Sequence, residues 1–330
     1  MHESYTLSVT ITLPLAHPPL YLNGGATYRV VSPTMDRKEY PWLYRAADRA
    51  SAEAQERHFL SLGFQLIIFS LVGLLSAIPT WMTLAPKSSR WVALLSAVVL
   101  AVGVVVVLSA RERKFEKQWF DARAIAESAK TITWRYMMRV PPFQIENQTA
   151  ETALIEELQE VSSSRPGALG QIGGIEEDTT QFKPLMRKVR NSSFDERKAY
   201  YLASRLADQR DWYHVKAAFN RSHSQRWYWT VLGIQVLAII LAILKAADFL
   251  KISPVGFLMT IGASFSAWTQ AKRHEDLRTT YSVAEDELNN LEAKLDLCTT
   301  ETELLGYVED VEEAVSREHT MWRARRNVAS

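Results

Sequence analysis

The sequence holds four long stretches without an acidic or basic side chain, and a chain built this way has few folds open to it. Residues 59–85 read FLSLGFQLIIFSLVGLLSAIPTWMTLA, and residues 91–110 read WVALLSAVVLAVGVVVVLSA. Residues 227–244 repeat the pattern, as does the weaker run ISPVGFLMTIGASFSAWTQA over 252–271. A helix rises about 1.5 Å per residue and a bilayer's hydrocarbon core is about 30 Å thick, so runs of this length predict transmembrane helices.

The first two runs are joined by Pro86, Lys87, Ser88, Ser89 and Arg90, a connection short enough to force an antiparallel hairpin. The second pair is joined by a short segment holding Lys245, Asp248 and Lys251, so the hairpin recurs. Trp81, Trp91, Trp227, Trp229 and Trp268 fall near the ends of the runs, where amphipathic rings prefer the headgroup zone. Basic residues crowd the outer flanks (Arg45, Arg49, Arg57, Arg111, Arg113, Lys114 and Lys117 around the first hairpin), while the turns hold only Lys87, Arg90, Lys245 and Lys251. The positive-inside rule therefore puts both termini and the large middle segment in the cytoplasm.

The net charge of +1 and the 23% of charged residues would suit a cytosolic protein, but that average hides the partition into charge-free and charge-dense segments. The single cysteine, Cys298, excludes an intramolecular disulfide and any CxxC redox or zinc motif. The first residues, broken by Pro14, Pro18 and Pro19, lack the basic start and long apolar core of a secretory signal, and residues 1–35 read as a flexible extension.

The expected fold class is all-α: an integral membrane protein with two transmembrane hairpins, four spans, and long cytoplasmic helical extensions. Charged, helix-prone sequence precedes each hairpin, and RERKFEKQWFDARAIAESAK and KRHEDLRTTYSVAEDELNNLEAKL follow them as continuous exits. After the fourth span, Tyr281, Ala284, Leu288, Leu291, Leu295 and Cys298 alternate at spacings of three and four, the seam of a coiled coil or helical bundle and a candidate assembly surface. Thr300 and Glu303 form a capping-box signature for a last helix whose apolar face is Leu304, Val308, Val311 and Val315. The Gly-, Ser- and Pro-rich stretch 162–180 reads as a loop between the halves. These signals divide the chain into a first unit over 36–145, a helical or looped linker over 146–195 and a second unit over 196–326.

No Asp, Glu, Lys, Arg or His lies inside the spans, so the marks of a proton relay or ion-coupled carrier are missing. Gln65 and Gln235 each lie within about two turns of the cytoplasmic end of the first span of a hairpin, as glue between helices or as groups facing a wet lumen. On the fourth span Gly256, Thr260 and Ser264 share one face with Ser253 and Ala267. That stripe suits close helix packing at rest and pore lining in an assembled state. No HExxH, GxSxG or phosphate-binding loop is present, so no catalytic, cofactor or metal residue is assigned and an enzyme is not expected. Asn147 and Asn191 match the glycosylation pattern but fall on the cytoplasmic side. The basic and aromatic cluster over 210–229 suits anionic headgroups better than nucleic acid, and no specific nucleic-acid partner is expected.

The string EYPWLYRAADRASAEAQERHF before the first hairpin, with WFDARAIAESAKTITWRYMMRVPPF after it, resembles one subtype of the SMODS and SLOG-associating two-transmembrane effector (SLATT) domains of bacterial conflict systems. RLADQRDWYHVKA before the second hairpin and the helices over 281–326, ending in SREHTMWRARR, are similar to another subtype that often follows it in tandem. The resemblance covers about residues 36 to 326. It implies an effector of the inner membrane that assembles or opens to breach that membrane when a nucleotide-sensing or nucleotide-producing partner, or a nucleotide second messenger, signals infection. The family supplies no catalytic residues to carry over. A non-conducting scaffold that recruits partners through its cytoplasmic helices is the competing expectation.

Overall fold

The computed structural model describes residues 35–82, 84–172 and 178–327, and within them every regular element is helical. The N-terminal extension expected over 1–35, apart from Met35, lies outside the described residues, as do Gly173 and Gly174 of the loop. In chain order the helices are α1 (Trp42–Trp81), α2 (Pro86–Arg113), α3 (Phe115–Met137), α4 (Asn147–Ser163), α5 (Pro166–Ile172), α6 (Pro184–Arg190), α7 (Phe194–Tyr201), α8 (Asp208–Ala246), α9 (Val255–Lys272), α10 (His274–Leu295) and α11 (Glu301–Asn327). A π-helical segment, Leu202–Ala207, links α7 to α8 without a break.

The plan is stated twice. A long helix enters the apolar region, a second returns, and the chain then runs back along the entering helix: α3 packs on α1, and α10 packs on α8. The exits are not continuous, contrary to expectation. Lys114 stands between α2 and α3 at φ 49°, and Arg273 stands between α9 and α10 at φ 51°. Each is a single left-handed residue without glycine's freedom, a conformation that costs about 1–2 kcal/mol for an L-residue.

The span boundaries also shift. α1 ends at Trp81 rather than at 85, and α2 begins at Pro86, so Lys87 to Arg90 form the first turn of α2 instead of the loop. Proline suits that first helical position because its missing N–H would have been unpaired there anyway. α9 begins at Val255, later than the expected 252, and is 18 residues long.

Away from the hairpins one core joins both halves. Trp134, Tyr136, Met137, Leu154, Tyr201, Leu206 and Tyr213 are almost completely buried in it. The segment 146–195, expected as a linker, contributes to that core: Ala150, Leu154 and Leu158 of α4 and Met186 of α6 are buried. The loop end also serves α1, whose first N–H groups have no partner within the helix. Trp42 N donates to Thr180 O at 3.0 Å, and Leu43 N donates to Gln181 Oε1 at 3.3 Å.

The last helix forms as its cap signature predicts. Glu303 N donates to Thr300 Oγ1 at 3.3 Å and Thr300 N donates back to Glu303 Oε2 at 3.0 Å, and Leu304, Val308, Val311 and Val315 are buried.

Candidate functional site

The hairpins stand side by side. α1 lies between α2 and α9, and α9 lies between α1 and α8, giving a row ordered α2, α1, α9, α8. Small residues set its spacing. A Cβ on Gly103 would come within 3.0 Å of Ile68, which shows how closely α2 approaches α1. A Cβ on Gly73 would meet Thr260 at 3.0 Å, and one on Gly262 would meet Ile234 at 3.4 Å.

The α1–α9 contact runs antiparallel along the full length of the shorter helix. At one end Trp81 Nε1 donates to Ser253 O at 3.0 Å and its ring meets Phe257 edge-on. In the middle the hydroxyls of Ser70 and Ser264 share a hydrogen bond of 3.2 Å. At the other end Phe59 meets Trp268 edge-on, and Lys272 Nζ lies 3.4 Å from the Phe59 ring centre and 4.9 Å from that of Trp268. Trp119 of α3 also meets Phe59 edge-on. An aromatic knot therefore closes the row where α3 begins and α9 ends, next to both left-handed breaks.

Among the described residues, little protein covers the outer faces of the row. Three helical stretches, Trp42–Pro79, Pro86–Met137 and Phe194–Ala246, are long and apolar enough to cross a membrane, and their most apolar parts are only 11%, 6% and 6% buried. Ile67, Val105, Trp229 and Ile239 are each about 60% exposed or more. Removing apolar surface from water is worth about 25 cal/mol per Å², so a face of this extent marks a site that meets lipid or another protein. α9, shorter and more polar, is not among the three.

The sequence-chosen residues fall in separate places. Thr260 and Ser264 are half-buried against α1, whereas Gly256 is exposed, with open space where a Cβ would point. Gln65 donates to Ser61 Oγ at 3.4 Å on its own helix. Gln235 is exposed on α8, far from Gln65's helix in the row. The seam residues Tyr281, Leu288, Leu291 and Leu295 turn toward the chain's own helices. Tyr281 meets Trp212 and Tyr213 of α8 at 5.3 and 5.8 Å between rings, Leu288 and Leu295 are buried, and Leu291 O accepts from Tyr307 of α11 at 2.8 Å. Cys298 is buried beside them, and burial pushes its thiol up from the ordinary value. Part of the 210–229 cluster is engaged within the chain: Tyr213 is buried, Arg210 pairs with Asp211 and Glu292, and the exposed His214 meets Glu285. Asn147 Nδ2 donates to Asn191 Oδ1 at 3.0 Å, so the two glycosylation-pattern asparagines hold each other.

Two models from one family group match the chain. SMODS and SLOG-associating 2TM effector domain 3 matches residues 41–198, and domain 1 of the same group matches residues 201–322. The chain is a tandem SLATT protein. No curated protein and no solved structure matches it. As a SLATT protein it is a membrane-associated effector of conflict systems.

The junction of the two SLATT units, between 198 and 201, adjoins the feature that sequence reading missed. Glu312 of α11 is 1% exposed and accepts from four donors: Thr131 Oγ1 of α3 at 2.9 Å, Tyr201 OH at 3.0 Å, and Arg205 Nε and Nη2 at 2.8 and 2.6 Å. Arg205 sits in the π-helical segment, a form frequently found at functional sites. Burial opposes the Arg205 charge, but the adjacent Glu312 outweighs it and holds the guanidinium above its ordinary value. Lys130 of α3, bonded to Gln209 Oε1 at 3.4 Å, is lowered by burial and by Arg205, and burial raises Asp208. One buried carboxylate thus ties the exit of the first unit to the entry and final helix of the second. In the sequence Glu312 stands in a VEDVEEAV run that reads as a solvated acidic face, and nothing local distinguishes it.

Proposed function

We propose that this SLATT chain is a multi-pass protein of the bacterial inner membrane, with both termini cytoplasmic, whose copies assemble and breach that membrane when a nucleotide messenger or a nucleotide-handling partner signals. The work is physical and not enzymatic. Opening parts α1 from α9, and the observation that carries this reading is the hydroxyl-bearing contact between those helices. Ser70, Ser264 and Thr260 lie there, where α1 and α9 join the hairpins, while apolar side chains cover the outer faces. A lumen needs polar surface, and parting this interface supplies it without placing a charge in lipid. The four-span reading is supported by the α1–α9 contact, which extends from Trp81 to Phe59 and so keeps α9 beside a helix apolar enough to cross. A non-conducting scaffold would use the α10 seam, which α8 and α11 already fill within the chain.

The test is a lock across the contact. In a Cys298→Ser background, Ser70→Cys with Ser264→Cys places sulfurs where oxygens now lie 3.2 Å apart. Liposomes carrying the reduced protein should leak dye or ions in the presence of an activating nucleotide or partner, and oxidation should stop the leak. Equal leakage from oxidised and reduced protein contradicts an opening at this face, and liposomes that stay tight under every condition contradict the breach itself.

A further inference from the structure

Several polar side chains within the apolar stretches bond back to their own helix. Ser70 donates to Leu66 O, Ser96 to Val92 O, Thr230 to Arg226 O and Thr260 to Gly256 O, each four residues back, and Gln65 donates to Ser61. Gln235 does not. Its amide is exposed and bonded to no group among the described residues. It lies nine residues beyond Arg226 on a continuous helix, about 14 Å into the apolar stretch and so close to the middle of a core about 30 Å thick. Lipid chains offer an amide nothing at that depth, and an unsatisfied polar group there is strongly unfavourable.

We infer that Gln235 marks the seam at which a second copy of this chain docks, α8 against α8. The inference rests on the membrane reading above and names the partner surface within it. α8 is an outer helix of the row, and Gln235 lies on its exposed flank, next to the inward-packed Ile234 and Ala238. Ile239, 60% exposed, and the exposed Ala242 continue the Gln235 face at helical spacing, and the small Ala242 permits close approach. A second copy inserted in the same orientation, related by a twofold axis along the membrane normal, brings its own Gln235 to the same depth. Each amide then offers a donor and an acceptor to the other, the self-complementary contact that a twofold interface requires. A different protein would need a matching polar group at that one level.

The measurement uses full-length protein in native membranes, with Gln235→Cys in a Cys298→Ser background and Val98→Cys on the exposed face of α2 as the comparison. Oxidation should give a disulfide-linked dimer at 235 and little at 98. Gln235→Leu should weaken dimerisation in detergent about threefold to tenfold, the range of interhelical hydrogen bonds in membranes, and Gln235→Asn should retain most of it. Membrane-embedded protein that resists alkaline carbonate but forms no 235 dimer, or forms equal amounts at 98, overturns the seam and leaves the membrane reading standing. Release by alkaline carbonate overturns both.

Discussion

Ser70 of α1 and Ser264 of α9, 194 residues apart in sequence, share a hydrogen bond of 3.2 Å and join the two hairpins within one chain. Ser70 gives its one proton to Leu66 O at 2.9 Å and accepts from Ser264, whose Oγ lies 3.5 Å from the same carbonyl, so the pair is anchored to the α1 backbone. Apolar faces specify partners weakly in lipid, and a polar contact held by close-packed glycine fixes the register instead.

That close approach makes Gly73 sensitive. Its Cβ position lies 3.0–3.1 Å from three atoms of Thr260, so Gly73→Val forces α1 and α9 apart. The expected cost is about 1–3 kcal/mol, read as a lower melting temperature in detergent, whereas Gly233→Ala, with open space around its position, should change little.

The Glu312 centre should be the most fragile point of the cytoplasmic core. Glu312→Ala leaves Arg205 charged, buried and unpaired, with an expected loss of about 3–5 kcal/mol in denaturant unfolding. Replacing both, Arg205→Met with Glu312→Leu, should recover much of it. A double variant as unstable as the single one would show that the pair holds the fold by something other than compensated charge.

The two left-handed residues should accept glycine. Lys114→Gly and Arg273→Gly relieve the φ > 0 strain and should each be neutral or stabilising by up to about 1 kcal/mol, while Lys114→Pro, which cannot adopt positive φ, should destabilise. Melting temperatures of the three variants check this.

Acid should weaken the junction at α10. His274 Nδ1 donates to Asn220 Oδ1 at 2.8 Å, and burial, then His223 and Lys272, push its pKa down to about 4. Between the unfolded value of about 6.5 and about 4, the unfolded chain binds a proton that the folded chain refuses, so stability falls as pH falls through that window. His274→Gln should flatten the difference in melting temperature between pH 7 and pH 5 relative to the unsubstituted protein.

Periodicity and charge partition make the helical hairpins, the repeat and the final capped helix legible, because each depends on residues close in sequence; the α10 seam is visible as a pattern, but as an assembly surface, whereas α8 and α11 of the same chain fill it. What escaped depends on distant neighbours. Lys114 and Arg273 carry no glycine signal, since α3 and α10 are bent by packing back on α1 and α8. Arg205 and Glu312 look like ordinary surface charges until Tyr201 and Thr131 are brought to them. Thr260 and Ser264 were found as a stripe, but only the fold shows that α1 is what they face.

The most direct test of the account is the number of crossings. Single cysteines at Ser88 and Asp248 in the two hairpin turns, and at Ser164 and Ser192 in the helical region, would be introduced into Cys298→Ser protein and treated with a membrane-impermeant maleimide on intact spheroplasts. Four spans predict labelling at 88 and 248 and protection at 164 and 192 until the membrane is permeabilised. Protection at 248, or labelling at 192 from outside, would contradict a second hairpin that crosses and returns.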